Sequence, residues 1–466
     1  MKYLLAFTFV LCSLLYISSR AIHAQNSVQI SPDDTPGEII KMAAHVRPSE
    51  RQSRWQELQF TLFIHFGMNT FTNREWGIKG TPASLFNPTA LDADQWAKTA
   101  KMAGAKLLIM VAKHHDGFCL WPSKYTDYTV QNSPWKGGKG DVMAEVATAC
   151  KNNGIKLGIY LSPWDISSPL YGSDAYNTYF VNQLTELLTQ YGPVDEVWFD
   201  GACGEGPNGQ RQVYDWAKYY AAVRSLQPQA VIAIMGPDVR WVGTESGYGR
   251  ETEWSVVPLT NNDISLPPGN MMEDDLGSRA RILKAKTLAW YPSEVDVSIR
   301  PGWFYHSDQD SLVKSSETLV DIWYSSVGRN SVLLLNLPPD PRGLIHENDV
   351  KALKEMRQIL DATFGENLAE KSIISRTDST IVLEMKAPVT FDRARIGENF
   401  RNGQRVEKFT LESWDGLAWK EIIRGSTIGY QRLLRFEPVK SSRIRLRINS
   451  SRDVPEIKTF GLYKAP

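Results

Sequence analysis

Short apolar runs alternate with amphipathic stretches along most of this chain. The runs at 60–66, 106–112, 156–161, 196–199, 230–235 and 331–337 are nearly continuous in apolar residues, as strands of a parallel sheet covered on both faces must be. Between them, Trp96, Ala100 and Ala103 recur at helical spacing behind Asp92, which suits an N-cap. Val181, Leu184, Leu187 and Leu188 do the same ahead of Gly192, which suits a helix stop. Strand starts about 40 to 50 residues apart, over a region of roughly 300 residues, fit eight β/α units closed into a barrel. The stretch 251–306 is less regular: 294–299 reads as a strand, and the sixth and seventh strands stay unassigned.

The pattern changes after Pro338-Pro339-Asp340-Pro341. A helix over 348–360 leads into period-two alternation at 380–385, 407–413 and 443–448, with a turn at Trp414-Asp415-Gly416. The expected fold is therefore a (β/α)8-type barrel over 25–345, a connecting helix and linker over 346–366, and a small antiparallel β-sandwich over 367–466. Its expected role is to pack on the barrel and support a loop near the pocket.

Residues 1–24 read differently. Lys2 precedes an apolar run from Leu4 to Ile17, and small residues lead to Ala24, the pattern of a secretory signal peptide. The run is short of the roughly 20 apolar residues that span a bilayer, and no later segment approaches that length. The expectation is export to the periplasm or the medium. Cys119, Cys150 and Cys203 follow the leader, an odd set without CxxC spacing, so neither a disulfide framework nor a zinc knuckle is indicated. Basic and acidic residues balance at 52 each, which removes the electrostatic case for nucleic acid. Fifteen tryptophans and eighteen tyrosines tilt the reading slightly toward sugar rings, whose apolar faces stack on flat aromatics.

The candidate chemistry gathers at the strand ends. Asp200 follows Val197-Trp198-Phe199 and precedes Gly201, so an apolar strand delivers a carboxylate to the barrel face where active sites lie. His65 ends the first strand, His114 and His115 the second, and Tyr160 lies near the end of the third. Glu245 follows the fifth strand, and Trp303 follows Arg300-Pro301-Gly302. Two mechanisms use such a set. In a metal-dependent hydrolase, His65, His114 or His115 and Asp200 would hold a cation that activates water. Adjacent histidines on one strand point to opposite faces, which weakens this reading unless the strand has ended before them. In a retaining glycosidase, Asp200 attacks the anomeric carbon, a second carboxyl protonates the leaving oxygen, and the histidines bind hydroxyls.

The segments Phe63-Ile64-His65-Phe66-Gly67, Asn73-Arg74-Glu75-Trp76, Lys113-His114-His115-Asp116-Gly117-Phe118, Gly158-Ile159-Tyr160-Leu161-Ser162-Pro163-Trp164, Val197-Trp198-Phe199-Asp200-Gly201 and Arg300-Pro301-Gly302-Trp303-Phe304-Tyr305-His306 resemble the α-L-fucosidases of glycoside hydrolase family 29. The likeness implies a retaining exo-fucosidase that needs no cofactor or metal and acts on fucosylated oligosaccharides or glycoconjugates. It makes Asp200 the nucleophile and places His65, Glu75, Trp76, His114, His115, Tyr160 and Trp303 in the fucose pocket. Glu245 matches the acid/base of the branch acting on α-1,3/1,4-linked fucose, with Glu251, Glu253 and Glu273 as reserves. The C-terminal segment resembles discoidin-like modules. A catalytically inactive fucose-binding protein is the alternative outside enzymes.

Overall fold

The computed structural model describes residues 26–259 and 272–466, so the leader expected over 1–24 lies outside the described residues. Eight parallel strands share one sheet: β1 (Phe60–Ile64), β2 (Leu107–Lys113), β3 (Lys156–Leu161), β4 (Glu196–Phe199), β5 (Val231–Ile234), β6 (Arg240–Trp241), β7 (Ser293–Ser298) and β8 (Val332–Asn336). They pair in the order β5-β4-β3-β2-β1-β8-β7-β6. Pairing of β1 with β8 wraps the sheet into a (β/α)8-type barrel whose remaining seam lies between β5 and β6. The two unassigned strands are now defined. β6 is only two residues long, held where Arg240 N donates to Pro292 O (3.0 Å) and Val242 N to Glu294 O (2.9 Å).

Helices α1 (Ala93–Ala103), α2 (Val142–Asn153), α3 (Asp174–Gln190), α4 (Trp216–Leu226) and α5 (Ser316–Ser325) pack outside the sheet. Asp92 caps α1 by accepting from the amides of Asp94 and Gln95, at 3.0 Å each. The chain leaves α3 two residues before Gly192, which takes the positive φ of 84° that the turn into β4 requires.

The barrel interior is not wholly apolar. Phe63, Ile109, Val111, Tyr160, Trp198 and Leu334 fill it together with three buried acids, Glu196, Glu294 and Asp296. Each acid accepts from an indole: Trp55 Nε1 to Glu196 (2.9 Å), Trp198 Nε1 to Glu294 (2.7 Å) and Trp241 Nε1 to Asp296 (2.7 Å). The second oxygen of each glutamate, Glu196 Oε1 and Glu294 Oε2, is buried without a hydrogen-bond donor from the described residues, which disfavours the charged form. Burial raises both from the ordinary value of 4.5, Glu196 to about 7, and the charge of Glu196 raises Glu294 further.

The pair therefore holds protons in the folded barrel at pH values where the unfolded chain has lost them. The contribution of Glu196 to stability is complete below pH 4.5 and is lost as pH rises through about 7. Glu196→Gln keeps the volume and removes that titration. We expect thermal melts across this window to decline less steeply for the variant, by on the order of 3 kcal/mol in total. An unchanged slope would show that Glu196 is already ionised.

Beyond the barrel, α6 (Glu347–Phe364) precedes six antiparallel strands: β9 (Ile373–Arg376), β10 (Thr380–Glu398), β11 (Val406–Trp414), β12 (Trp419–Gly425), β13 (Arg432–Ser451) and β14 (Ile457–Tyr463). The long strands β10 and β13 pair through register shifts at 384/389 and 391/393, bends that let a strand serve both layers of the β-sandwich. This sandwich braces the loop that follows β6. Glu253 N donates to Thr427 Oγ1 (3.0 Å), Ser255 N to Gln404 Oε1 (2.7 Å), and Ser426 Oγ and Arg432 Nη1 donate to Glu251 O (2.9 and 2.7 Å). Among the described residues, no helix is long and apolar enough to cross a membrane.

Candidate active site

A cavity of about 340 Å³ opens at the C-terminal ends of the strands. All nine residues singled out from the sequence line it: His65, Glu75, Trp76, His114, His115, Tyr160, Asp200, Glu245 and Trp303. Phe63, Trp198, Ala202 and Asp296 complete the lining. Asp296 was missed because Ser293-Glu294-Val295-Asp296-Val297-Ser298 alternates like a strand with one wet face. In the barrel that polar face turns inward.

Asp200 sits just beyond β4, and both of its oxygens are engaged. Oδ1 accepts from Ala202 N (2.8 Å) and Oδ2 from the Tyr160 hydroxyl (2.9 Å), which fixes the plane of the carboxylate. Burial lifts the Tyr160 phenol well above its ordinary value, so it remains a donor. His115 Nε2 lies 3.8 Å from Asp200 Oδ2.

His65 and His115 are buried and His114 is half-buried, and their neighbours set their polarity. His65 Nδ1 lies 2.8 Å from Asn336 Oδ1, while Asn336 Nδ2 donates to Ser298 Oγ (2.9 Å) and to Trp303 O (2.7 Å). With the amide oriented by those two acceptors, His65 carries its proton on Nδ1 and leaves Nε2 as an acceptor. His115 Nδ1 lies 2.7 Å from Ser162 Oγ, whose own proton goes to Trp164 O (2.7 Å), so Nε2 of His115 is also an acceptor. His114 Nδ1 faces Asn69 Nδ2 at 3.5 Å, and the same amide donates to Glu75 O (3.0 Å), which leaves His114 Nε2–H as a donor. Burial is the main cause lowering all three below the usual imidazole value, His65 to about 4. Neutral rings of mixed polarity suit alcohols, which donate and accept at once.

The objection to adjacent histidines falls away, because β2 ends at Lys113 and both rings reach the same cavity, 4.0 Å apart between centroids. Among the described residues, however, no three His, Cys, Asp or Glu side chains are grouped as a metal site would require.

Glu75 does more than face the cavity. Oε2 accepts from Trp303 N (2.8 Å), and Oε1 accepts from Phe304 N (3.3 Å) and lies 2.6 Å from His306 Nε2. The carboxylate thus seats the loop that carries Trp303. Gly302 permits this approach, since a Cβ there would fall 2.3 Å from Glu75 Oε1. The loop is tied to α6 by the buried Arg300, whose Nε donates to both oxygens of Asp349 (3.1 and 3.0 Å). Trp303 Nε1 then donates to Glu245 Oε2 (3.1 Å) and holds that exposed carboxylate at the cavity wall. The reserve acids are engaged elsewhere: Glu253 is buried with Arg240 and Arg250, Glu251 pairs with Arg329 and Arg432, and Glu273 pairs with Arg281. Trp76, 59% exposed, meets Trp164 and His115 at the rim.

The family model described as Alpha-L-fucosidase matches residues 80–365. Alpha-L-fucosidase 1 of Arabidopsis thaliana is 41% identical over 453 residues, covering 89% of this chain and 87% of that protein. A solved glycoside hydrolase family 29 member from a rumen bacterium is 41% identical with a TM-score of 0.81, covering 90% of this chain and 77% of that one. A Ruminococcus gnavus fucosidase of the same family, solved in complex with fucose, is 30% identical with a TM-score of 0.78, covering 90% of this chain and 95% of that one. With a barrel, a cavity and relatives that agree in this way, the chain belongs to the α-L-fucosidase family, glycoside hydrolase family 29, and is an α-L-fucosidase by enzyme class.

Proposed function

We propose that the protein is an exported, exo-acting, retaining α-L-fucosidase that removes terminal α-1,3/1,4-linked fucose, with Asp200 as nucleophile and Glu245 as acid/base. The observation that carries the reading is one small cavity holding a carboxylate fixed by Tyr160 and Ala202 together with a second carboxylate hung on the Trp303 indole. In the first step an Asp200 oxygen bonds to the anomeric carbon as the glycosidic C–O bond breaks, and the Glu245 proton passes to the leaving oxygen. In the second, Glu245 takes a proton from water, whose oxygen displaces Asp200 from the same carbon and restores both carboxyls. His65 and His115 offer acceptors and His114 a donor to sugar hydroxyls, while Phe63, Trp198 and Trp303 give the fucose methyl an apolar wall.

The cavity lies near the lower end of the usual range for small-molecule pockets, which favours a single terminal sugar. The linkage reading rests on the place of Glu245 in the loop after β6, and the export reading on the apolar run before Ala24. Proton NMR of the first product tests the mechanism. The α-anomer of L-fucose is expected before mutarotation, and the β-anomer would refute retention. On linkage-defined trisaccharides, the α-1,2 isomer is expected to react at least roughly 100-fold more slowly than the α-1,3 and α-1,4 isomers.

Gly302→Ala tests the seating of the Trp303 loop. A methyl group against Glu75 Oε1 must push the loop away and carry Trp303 and Glu245 with it. A loss in kcat/KM of roughly tenfold to a hundredfold is expected, with little change in melting temperature. Wild-type kinetics in this variant would detach the loop from the chemistry.

A further inference from the structure

Polar groups are unevenly spread around the cavity. β1 to β4 bring the three histidines, Tyr160 and Asp200, whereas the arc formed by β5, β6 and β7 brings a single buried polar side chain into the lining, Asp296. It is 3% exposed, and its Oδ1 is taken by the Trp241 indole on the neighbouring strand. Oδ2 has no hydrogen bond to any described residue, yet it is not among the atoms sealed from solvent.

We propose that Asp296 is a substrate-binding residue that donates a hydrogen bond from Oδ2 to a hydroxyl of the fucose ring. A carboxyl donates only while protonated, and its surroundings keep it so. No Lys, Arg or His pairs with it among the described residues. Leu334 lies beside it on β8, Glu294 lies two residues before it on its own strand, and Glu245 stands nearby on the loop after β6. Asp200 and Tyr160 line the same cavity from β4 and β3. Burial raises the Asp296 carboxyl well above the carboxylate range, and the Trp241 indole opposes this only in part. The outcome is a neutral acid donor on the side of the cavity that lacks one.

This inference rests on the cavity being the fucose site, so the test includes a control for that reading. L-Fucose binding is measured by calorimetry between pH 5 and 9 for the wild type, Asp296→Asn, Asp296→Ala and His65→Ala. In Asp296→Asn the amide oxygen is held by Trp241 Nε1–H and the amide N–H faces the cavity. Its affinity is expected within about threefold of wild type and without the wild type's decline at alkaline pH. Asp296→Ala is expected to bind roughly 5- to 10-fold more weakly at every pH below that decline. The proposal is overturned if Asp296→Ala binds like wild type, if Asp296→Asn loses as much as Asp296→Ala, or if Asp296→Asn keeps the alkaline decline. Should His65→Ala also bind normally, the cavity itself is misassigned. Loss in His65→Ala alone removes only Asp296. If Asp296→Ala fails to fold, the pH profile of the near-isosteric Asp296→Asn decides the matter.

Discussion

Asp200→Ala is expected to lose turnover by roughly 10⁴-fold or more while its affinity for L-fucose stays within a few-fold of wild type. The two halves of this expectation have separate structural causes. Turnover needs an oxygen at the anomeric carbon, and alanine supplies none. In the proposed site, binding rests on His65, His114 and His115, whose orientations are set by Asn336, Asn69 and Ser162 and not by Asp200. The variant does leave the Tyr160 hydroxyl without its acceptor in a buried place, so a small loss of stability should accompany the change. Steady-state kinetics on an aryl fucoside together with calorimetry separates the effects. Turnover above about a tenth of wild type would remove Asp200 from the covalent step.

What could be read from the sequence follows how each residue is held. Strands β1 to β5 and β8 were legible because a barrel strand covered on both faces must be apolar throughout, and a polar residue at its end, such as His65 or Asp200, then stands out. β6 was not legible because two residues carry no period, and it exists through its hydrogen bonds to the segment 292–294. The inner acids were hidden for a different reason. Alternation identifies a strand but not which face meets water, and the indoles of Trp55, Trp198 and Trp241 that make Glu196, Glu294 and Asp296 tolerable come from other elements. Asn336 could have been noticed as the polar end of an apolar run, whereas its action on His65 depends on a contact 271 residues away in sequence. Glu75 was expected at the sugar, and the structure adds a second task, that of seating the Trp303 loop.

That seating bears on the proposed acid/base. Glu245 stands on a loop braced from below by Thr427, Gln404 and Arg432 of the sandwich and from the side by the Trp303 indole, so its carboxylate is positioned although exposed. For Glu245→Ala, kcat/KM on a natural trisaccharide is expected to fall by about 10²- to 10⁴-fold, the usual worth of a positioned proton donor. A fucoside with a good leaving group should lose far less in its first step, because a stable phenolate departs with little protonation. Breakdown of the fucosyl ester on Asp200 would then limit turnover, since the base that activates water is also missing. Azide needs no base and should restore turnover, giving the α-fucosyl azide: one displacement by Asp200 inverts the carbon, and attack by azide inverts it again, so the product keeps the starting α configuration. The prediction for a two-step route is therefore the α-azide, and the β-azide would mean direct displacement without Asp200 or, if Glu245 were itself the nucleophile, a misassigned pair. In Asp200→Ala, where only direct displacement remains, azide should give the β-azide instead. Near-wild-type action of Glu245→Ala on the trisaccharide would move the acid to another carboxyl, and Glu273, paired with Arg281 in the free protein, would be the next to test.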